Sequence, residues 1–245
     1  MRVPRIHTTQ TLQPGAEIVL EPGPSQHLSK VLRLTTGAGL LLFDGTGLEF
    51  SARIHAIDRK RVTALLLEQQ QPQQESPLRI HLGIGISRGD RMDWVIQKAT
   101  ELGVAAITPL FTGRTEVRLR GEREARKRQH WQQVAISACE QCGRATLPRL
   151  HEPAPLAQWL QLGDAERRFV LHHRALGAAA SSAAPHSVSL LVGPEGGLDE
   201  AEIQAAEAAG FEALALGPRV LRTETAPLAA LAILQARWGD MGSLQ

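Results

Sequence analysis

Cysteine is scarce in this sequence. The only two, Cys139 and Cys142, form one C-x-x-C pair, and neither a second such pair nor an H-x-x-x-H pattern occurs. A structural zinc site needs four ligands at matching spacing, and the histidines are scattered, so we predict no metal site. The pair lies inside a helical pattern rather than in a loop before a helix. Reduced thiols in a cytoplasmic protein are therefore favoured over a redox role.

Long apolar runs are also missing. The longest stretches, residues 40–43 and 228–234, are far shorter than the roughly 20 residues that span a bilayer. The opening MRVPRIHTTQ has charge but no apolar run behind it, which is not the pattern of a secretory signal. We therefore expect a cytoplasmic protein with no membrane partner. Neither a Walker A motif nor a G-x-S-x-G elbow occurs, so nucleotide hydrolysis and serine hydrolysis have no starting point.

The overall composition is that of a globular protein. Of 245 residues, 43% are hydrophobic and 21% charged, and the net charge of +2 does not by itself indicate nucleic acid. Basic residues are concentrated between residues 114 and 128, where seven of them stand against three acids. Such a run is typical of a solvated helix face. It indicates an RNA-phosphate surface only where other features point to RNA.

The sequence changes character near residue 72. Before it, short β-like runs at 16–20, 39–43, 48–57 and 61–67 surround one helical piece, 25–34, and Asp44-Gly45 indicates a hairpin. This pattern predicts a small barrel. The stretch QQQPQQESP, residues 69–77, has linker composition. We therefore predict a barrel over residues 1–71, a linker over 72–77 and a second domain over 78–245.

Strands and helices alternate in the second part, which predicts an α/β domain with a mainly parallel sheet. Asp199, with Glu202 three residues later, predicts a capped helix start, and Gly210 predicts its end. An Ala/Ser-rich stretch, 175–184, predicts a connector. The expected strands are 78–86, 104–110, 169–172, 187–192 and 212–216, and the expected helices are 91–102, 121–142, 199–209 and 225–238.

Three of these strand ends carry unusual residues. They are LHHR at 171–174, GPEGG at 193–197 and GPRVLRTET at 217–225. In an open α/β sheet, ligands bind beyond the carboxyl ends of the strands. Glycines there let backbone groups approach a flat ring such as adenine, and prolines stiffen the loops. Ordinary turn chemistry explains either loop alone, but two Gly-Pro turns on successive strands favour a binding site.

The residues of these loops match a known family. LLVGPEGGL (190–198) and LALGPRVLRTETAPLAAL (214–231) resemble the ribosomal RNA small-subunit methyltransferase E family of the knotted SPOUT superfamily. The likeness extends in order over nearly the whole chain. It includes RVPR (2–5), HLSKVLRL (27–34), LFDGTG (42–47), SRGDRMDWVIQKATELGV (87–104), ITPLF (107–111) and ACEQCGR (138–144).

The resemblance implies a fold and an activity. It implies a PUA-like barrel followed by a SPOUT α/β domain with a deep trefoil knot, and a homodimer. It implies transfer of the methyl group of S-adenosylmethionine to N3 of one uridine, position 1498, in 16S ribosomal RNA of the small subunit. The matching positions imply a cofactor site formed by Leu171, His172, Gly193, Pro194, Glu195, Gly196, Gly197, Leu216, Gly217, Val220, Leu221 and Arg222.

The sequence departs from the family pattern at two positions. Gly113 stands where the family more often has Glu, and His173 stands where Pro is expected. Neither departure removes a group that we assign to chemistry.

Methyl transfer from a sulfonium requires alignment and removal of the N3 proton of uracil. We predict that Arg222 stabilises the negative charge on the ring. Glu224 orients Arg222, accepts a proton, or is simply an acid favoured at a helix N-terminus. Arg144 reaches the base or a phosphate, or complements a helix dipole. The catalytic base is left open.

The resemblance also turns basic residues into RNA-contact candidates. The predicted set is Arg2, Arg5, Lys30, Arg33, Arg114, Arg118, Arg120 and Arg123. The target base has to leave its stack to reach the cofactor, so we expect recognition of a splayed RNA site.

Two other functions compete with this interpretation. The glycines at 83, 85 and 89 suggest a dinucleotide-dependent oxidoreductase, but their spacing is one residue too long for the fingerprint. An RNA-binding assembly factor that uses the barrel alone leaves the paired C-terminal loops unexplained.

Overall fold

The structure is a computed structural model that describes residues 3–59, 61–72, 75–117, 119–163, 165–172 and 183–242. The chain divides into two compact units. The first comprises Met1–Glu75 with Ile136–Leu147, and the second comprises Ser76–Ala135 with Pro148–Gln245. The predicted linker, 72–77, contains the passage from the first unit to the second. The segment 136–147 lies in the first unit, whereas the sequence pattern placed it in the second domain.

The first unit is built on a five-stranded sheet. Its strands are β1 (Arg5–His7), β2 (Glu17–Val19), β3 (Gly39–Phe43), β4 (Glu49–Asp58) and β5 (Arg61–Gln70). They pair in the order β1-β3-β4-β5-β2, with β1 parallel to β3 and the other pairs antiparallel. The predicted barrel strands thus form this sheet. The sequence did not predict β1, because a strand of three residues is too short to show an alternating pattern. The predicted hairpin is present, because Gly45, at φ +82°, lies in the turn between β3 and β4.

The helical piece of the first unit differs from its prediction. It consists of α1 (Pro22–Gln26) followed by a π-helical segment, His27–Val31. Leu28 is fully buried, but Val31 is 66% exposed and Leu32 is 39% exposed. The i, i+3, i+4 spacing of Leu28, Val31 and Leu32 in the sequence predicts one apolar face. That prediction is wrong at two of the three positions, because the wider π-helical turn changes the spacing at which side chains share a face.

The second unit contains a seven-stranded sheet in which every pair is parallel. The strand order is β12-β10-β11-β6-β7-β8, with β9 also paired to β7. The strands are β6 (Arg79–Gly85), β7 (Ala106–Phe111), β8 (Arg149–Leu150), β9 (Ala154–Pro155), β10 (Arg167–Leu171), β11 (Ser187–Val192) and β12 (Glu212–Leu214). The predicted α/β architecture is confirmed.

Five helices accompany this sheet. They are α2 (Arg91–Glu101), α3 (Glu122–Cys142), α4 (Leu156–Leu160), α5 (Glu200–Ala208) and α6 (Ala226–Trp238). The division between the units falls within α3, after residue 135. The predicted capping box is present, because the side chain of Asp199 accepts from the N–H of Glu202 and that of Glu202 accepts from the N–H of Asp199.

The helical pattern of residues 91–102 predicts Trp94, Val95, Ala99 and Leu102 on the inward face of α2, but Trp94 lies outside the core. Trp94 is 51% exposed, whereas Met92, Val95, Ile96 and Ala99 are fully buried. These four follow the i, i+3, i+4, i+7 pattern of one helix face, and Trp94 falls between them on another face. Its ring is covered instead by Lys98, whose Nζ lies 5.2 Å from the ring centroid.

The glycines of β6 have a packing explanation. A Cβ on Gly83 would lie 2.6 Å from the ring of Trp159, and one on Gly85 would lie 2.4 Å from the ring of Pro194. Both positions therefore leave room for a neighbouring side chain. This accounts for two of the three glycines that suggested a dinucleotide site.

Among the described residues, no helix is both long enough and apolar enough to cross a membrane. The same part of the chain contains no group of three His, Cys, Asp or Glu residues placed to hold a metal ion. Both cysteines are free, and burial raises the pKa of the Cys139 thiol to about 12. A raised pKa disfavours the thiolate form of Cys139 at neutral pH.

Candidate functional site

Three strands of the second unit end side by side. Leu171 at the end of β10 is paired with Leu214 at the end of β12, and Val170 is paired with Leu191 near the end of β11. Because the pairs are parallel, the loops that follow these strands emerge at the same edge of the sheet. The chain thus brings together the three segments with unusual composition.

A cavity of about 290 Å³ lies at this edge. Eleven of the twelve predicted cofactor residues line it: Leu171, His172, Gly193, Pro194, Glu195, Gly196, Gly197, Leu216, Gly217, Val220 and Leu221. The twelfth, Arg222, is exposed and is not among the lining residues. Sequence reasoning missed Arg114 as a cavity residue, as well as Val192, Leu198, Ile203, Leu214, Arg219, Thr223 and Ala226. Most of these residues are adjacent in sequence to the glycine-rich motifs, and this adjacency was the signal that could have identified them as cavity residues.

The loop after β11 folds tightly on itself. The N–H of Gly197 donates to the carbonyl of Pro194 at 2.8 Å, and Gly197 has φ +69°. A Cβ on Gly193 would lie 2.7 Å from the backbone nitrogen of Leu198. Backbone atoms cannot give way as a flexible side chain can, so the shape of this loop requires glycine at 193.

The loop after β12 leads directly into α6. Gly217 has φ +93°, and the carbonyl of Arg222 accepts hydrogen bonds from the N–H groups of Thr225 and Ala226, both at 2.9 Å. Pro227 occupies the first turn of α6, where a proline is tolerated because no intrahelical bond needs its missing N–H. Within this loop, Val220 is 80% exposed and yet lines the cavity. The backbone at Arg222 therefore shapes the start of the helix.

Arg91 connects the two glycine-rich loops. Its Nη1 donates to Oε1 of Glu195 at 2.8 Å, and its Nε lies 3.7 Å from Oε2 of Glu224. Glu195 also accepts the N–H of Arg88 at 2.8 Å. Burial raises the pKa of Glu195, but the hydrogen bonds from Arg88 and Arg91 outweigh it and hold this pKa below its ordinary value. Among the described residues, the charged partner found for Glu224 is thus Arg91 rather than Arg222.

Arg114 forms one wall of the cavity. Its Nη1 donates to the carbonyl of Gly196 at 2.7 Å, and a Cβ on Gly196 would lie only 3.1 Å from the Cβ of Arg114. The departure at Gly113 fits beside it, because the N–H of Gly113 donates to Oε1 of Glu202 at 2.6 Å. A Cβ at 113 would lie 2.8 Å from Oδ2 of Asp199. The second departure, His173, lies outside the described residues, as does most of the predicted connector 175–184.

Two of the predicted site arginines, Arg5 and Arg144, are hydrogen-bonded to groups of the first unit. Arg5 donates from Nε to Oε2 of Glu49 at 2.9 Å and from Nη1 to the carbonyl of Cys139 at 2.8 Å. Arg144 donates from Nη2 to Oε2 of Glu75 at 2.6 Å. The side chains of these arginines are only 7% and 11% exposed.

The other predicted RNA contacts are distributed as follows. Lys30 lies in the π-helical segment and Arg33 follows it at φ +52°, and both are exposed. Arg120 and Arg123 are exposed residues of the second unit. Arg2 and Arg118 lie outside the described residues.

Comparison with known proteins adds independent findings. A model of the RNA methyltransferase domain matches residues 74–235, and a model of the RNA methyltransferase PUA domain matches residues 25–67. The chain is 35% identical over 244 residues to the ribosomal RNA small subunit methyltransferase E of Buchnera aphidicola from Schizaphis graminum, with 98% of each chain covered. It is 31% identical to the protein of the same name from Bacillus subtilis, with 93% of each covered.

Solved structures give the same result. The fold is similar, with a TM-score of 0.94 and 42% identity, to a protein from Legionella pneumophila in complex with bound SAM, covering 98% of this chain and 100% of that one. It is also similar, with a TM-score of 0.91 and 39% identity, to a ribosomal RNA small subunit methyltransferase E from Neisseria gonorrhoeae bound to S-adenosylmethionine, covering 98% and 99%. On these grounds the chain belongs to the ribosomal RNA small subunit methyltransferase E family, an enzyme family whose fold combines a PUA-like unit with a SPOUT α/β unit.

Proposed function

We propose that this protein transfers the methyl group of S-adenosylmethionine to N3 of one uridine in 16S ribosomal RNA of the small subunit. It acts in the cytoplasm as a homodimer, with residues 1–71 as an RNA-binding module and 78–245 as the knotted catalytic domain. The observation that carries the proposal is the cavity at the ends of β10, β11 and β12, since the glycine-rich loops around it coincide with the predicted cofactor positions.

The cavity fits a flat, partly polar cofactor. Apolar side chains such as Val192 and Leu216 line it beside the backbone of Gly193 and Gly217. Where no side chain intervenes, backbone N–H and carbonyl groups can bond the edge of an adenine ring. S-adenosylmethionine supplies an activated methyl group on a sulfonium. The leaving group is a neutral thioether, so its release needs no acid.

The chain's own residues supply alignment. Arg91 and the N–H of Arg88 hold Glu195, and Arg114 holds the carbonyl of Gly196, so the loop after β11 is fixed before any ligand arrives. A preorganised loop loses less conformational entropy on binding. Glu224 serves as a second anchor for Arg91. We propose that the exposed guanidinium of Arg222 stabilises the negative charge that spreads over O2 and O4 when uracil loses its N3 proton.

The decisive experiment is methylation of small ribosomal subunits from a strain that lacks this protein. We expect the pure protein with labelled S-adenosylmethionine to modify one uridine, located by mass spectrometry of RNA fragments. Naked 16S ribosomal RNA serves as the parallel substrate. Methyl transfer to a base other than uracil, or to large-subunit RNA, would refute the proposed specificity.

A thermal-shift assay tests the cofactor site separately. S-adenosylmethionine should raise the melting temperature, whereas NAD should not. Gly193→Ala should weaken S-adenosylmethionine binding about 100-fold, because the loop would have to move away from the added Cβ. Gly39→Ala is the matched control, since a Cβ there meets no atom within 4 Å. Equal affinity in both variants would place the cofactor elsewhere.

A further inference from the structure

A second cavity lies at the same edge of the sheet, beyond the ends of β6 and β7. Its volume is about 710 Å³, which is in the range of ligand sites. It neighbours the cofactor cavity at two places. Arg88, which lines the second cavity, donates its N–H to Glu195 of the first. Glu116 of the second cavity is two residues from Arg114 of the first.

The second cavity has one apolar wall. Ile86, Val117, Leu119 and Trp131 all line it. Trp131 is fully buried, and its Nε1 donates to Oδ1 of Asp93 at 3.1 Å, so its ring is held in a fixed orientation. A wall of this kind suits the face of a planar ring.

Ser87 in the lining carries an unused polar group. The residue is 4% exposed, and in the part of the chain that the structure describes its Oγ is the buried side-chain atom found without a hydrogen-bond partner. Leaving a buried hydroxyl unpaired costs free energy, so such a group usually has a role. Asp90, also in the lining, makes no side-chain bond to the start of α2. A hydroxyl and a carboxylate that line the same cavity can bond acceptors and donors on the edge of a nucleobase.

Among the described residues, one cation on the charged side of the cavity has no ion pair. Arg88 pairs with Glu116, Arg126 with Glu122 at 2.8 Å, and Lys127 with Asp93 at 3.3 Å. Arg123, in contrast, has no ion pair among the described residues and is exposed at the rim. A guanidinium in this position matches a single phosphate better than a long anionic surface.

We propose that this second cavity binds one nucleotide of the RNA substrate beside the cofactor, with its base at Ser87 and its phosphate at Arg123. The proposal rests on the proposed function, because it takes the RNA to be the substrate. It assigns the hydroxyl of Ser87 to the recognition of the base and explains why that hydroxyl has no hydrogen-bond partner among the residues that the structure describes.

Steady-state methylation of small subunits from a strain lacking the protein tests this assignment. Ser87→Ala should raise the KM for subunits about three- to tenfold, the effect of one lost hydrogen bond. The Kd for S-adenosylmethionine and the melting temperature should stay unchanged, since the hydroxyl makes no hydrogen bond to any of the described residues. Arg123→Ala should raise the same KM and make it less dependent on salt.

Ser187→Ala is the matched control. Its Oγ accepts the N–H of Glu166 at 3.1 Å, and it stands at the start of β11, at the opposite edge of the sheet. We expect its KM to equal that of the wild type. A wild-type KM in Ser87→Ala, or a lowered melting temperature that accounts for its loss of activity, would overturn the nucleotide site while leaving the proposed function intact. Absence of methylation by the wild type would overturn both. A change in oligomeric state in either cavity variant would assign the cavity to a protein contact and also overturn the proposal.

Discussion

The arginines of the first unit and those of the second have different surroundings. Arg5 and Arg144 are nearly buried and bond carboxylates of their own unit. Arg114 and Arg123 line cavities. Among the predicted site arginines, a partner carboxylate inside the unit marks Arg5 and Arg144 as structural residues. Arg114 and Arg123 have no ion pair among the described residues, which leaves them as candidates for ligand contact.

The largest effect is expected for Arg5→Ala. The side chain of Glu49 is only 9% exposed, so the substitution leaves a buried carboxylate without its cation. Breaking such a pair should lower the free energy of unfolding by about 3–5 kcal/mol. Urea denaturation measures this change. Lys30→Ala, at an exposed site in the same unit, should change it by less than about 0.5 kcal/mol. Unchanged stability with weakened RNA binding would make Arg5 an RNA contact instead.

A smaller effect is expected for Arg144→Ala. Its partner Glu75 is 35% exposed, so water screens part of the interaction, and the loss should be about 1–3 kcal/mol. Glu75→Gln removes the same ion pair from the other side. If Arg144 is structural, both variants lose stability and keep the methylation rate of the folded protein. A loss of kcat in Arg144→Ala alone would restore its predicted catalytic role.

The sequence carried enough information to predict the second unit well. Strands such as β11 are continuous apolar runs, and α5 carries its capping box in consecutive letters. Because the carboxyl ends of parallel strands lie at one edge of a sheet, the predicted strands also implied that the loops of the cofactor cavity lie close together. The short strands β8 and β9 were missed, since two residues each contain no periodicity.

Long-range partners could not be predicted in this way. His81 and His151 were counted among scattered histidines, yet their rings stack at 5.1 Å between centroids. Burial, together with the neighbouring His151 and Arg149, lowers the pKa of His81 to about 4, so its ring is neutral at pH 7. The ion pairs of Arg5 and Arg91 likewise join residues 44 and 104 positions or more apart. No local pattern records such pairs.

A moderate effect is expected for Arg114→Ala at the cofactor cavity. Loss of the hydrogen bond to the carbonyl of Gly196 frees the loop after β11. Affinity for S-adenosylmethionine should fall about three- to tenfold, measured by calorimetry, while stability changes little. Arg114→Lys should recover part of the loss. An unchanged affinity would mean that the loop keeps its shape without Arg114. The contrast between arginines that stabilise the fold and arginines that line a cavity would then lose its support.

The smallest effect is expected for Arg120→Ala. Arg120 is exposed in the second unit and does not line either cavity. If it contacts one phosphate, the substitution should weaken RNA binding uniformly across sequences and reduce the slope of log K against log salt by about 1. Affinity for S-adenosylmethionine should not change. An unaltered salt slope would show that this part of the basic run is only a solvated surface. RNA contact by the arginines of this unit would then be confined to those that line a cavity.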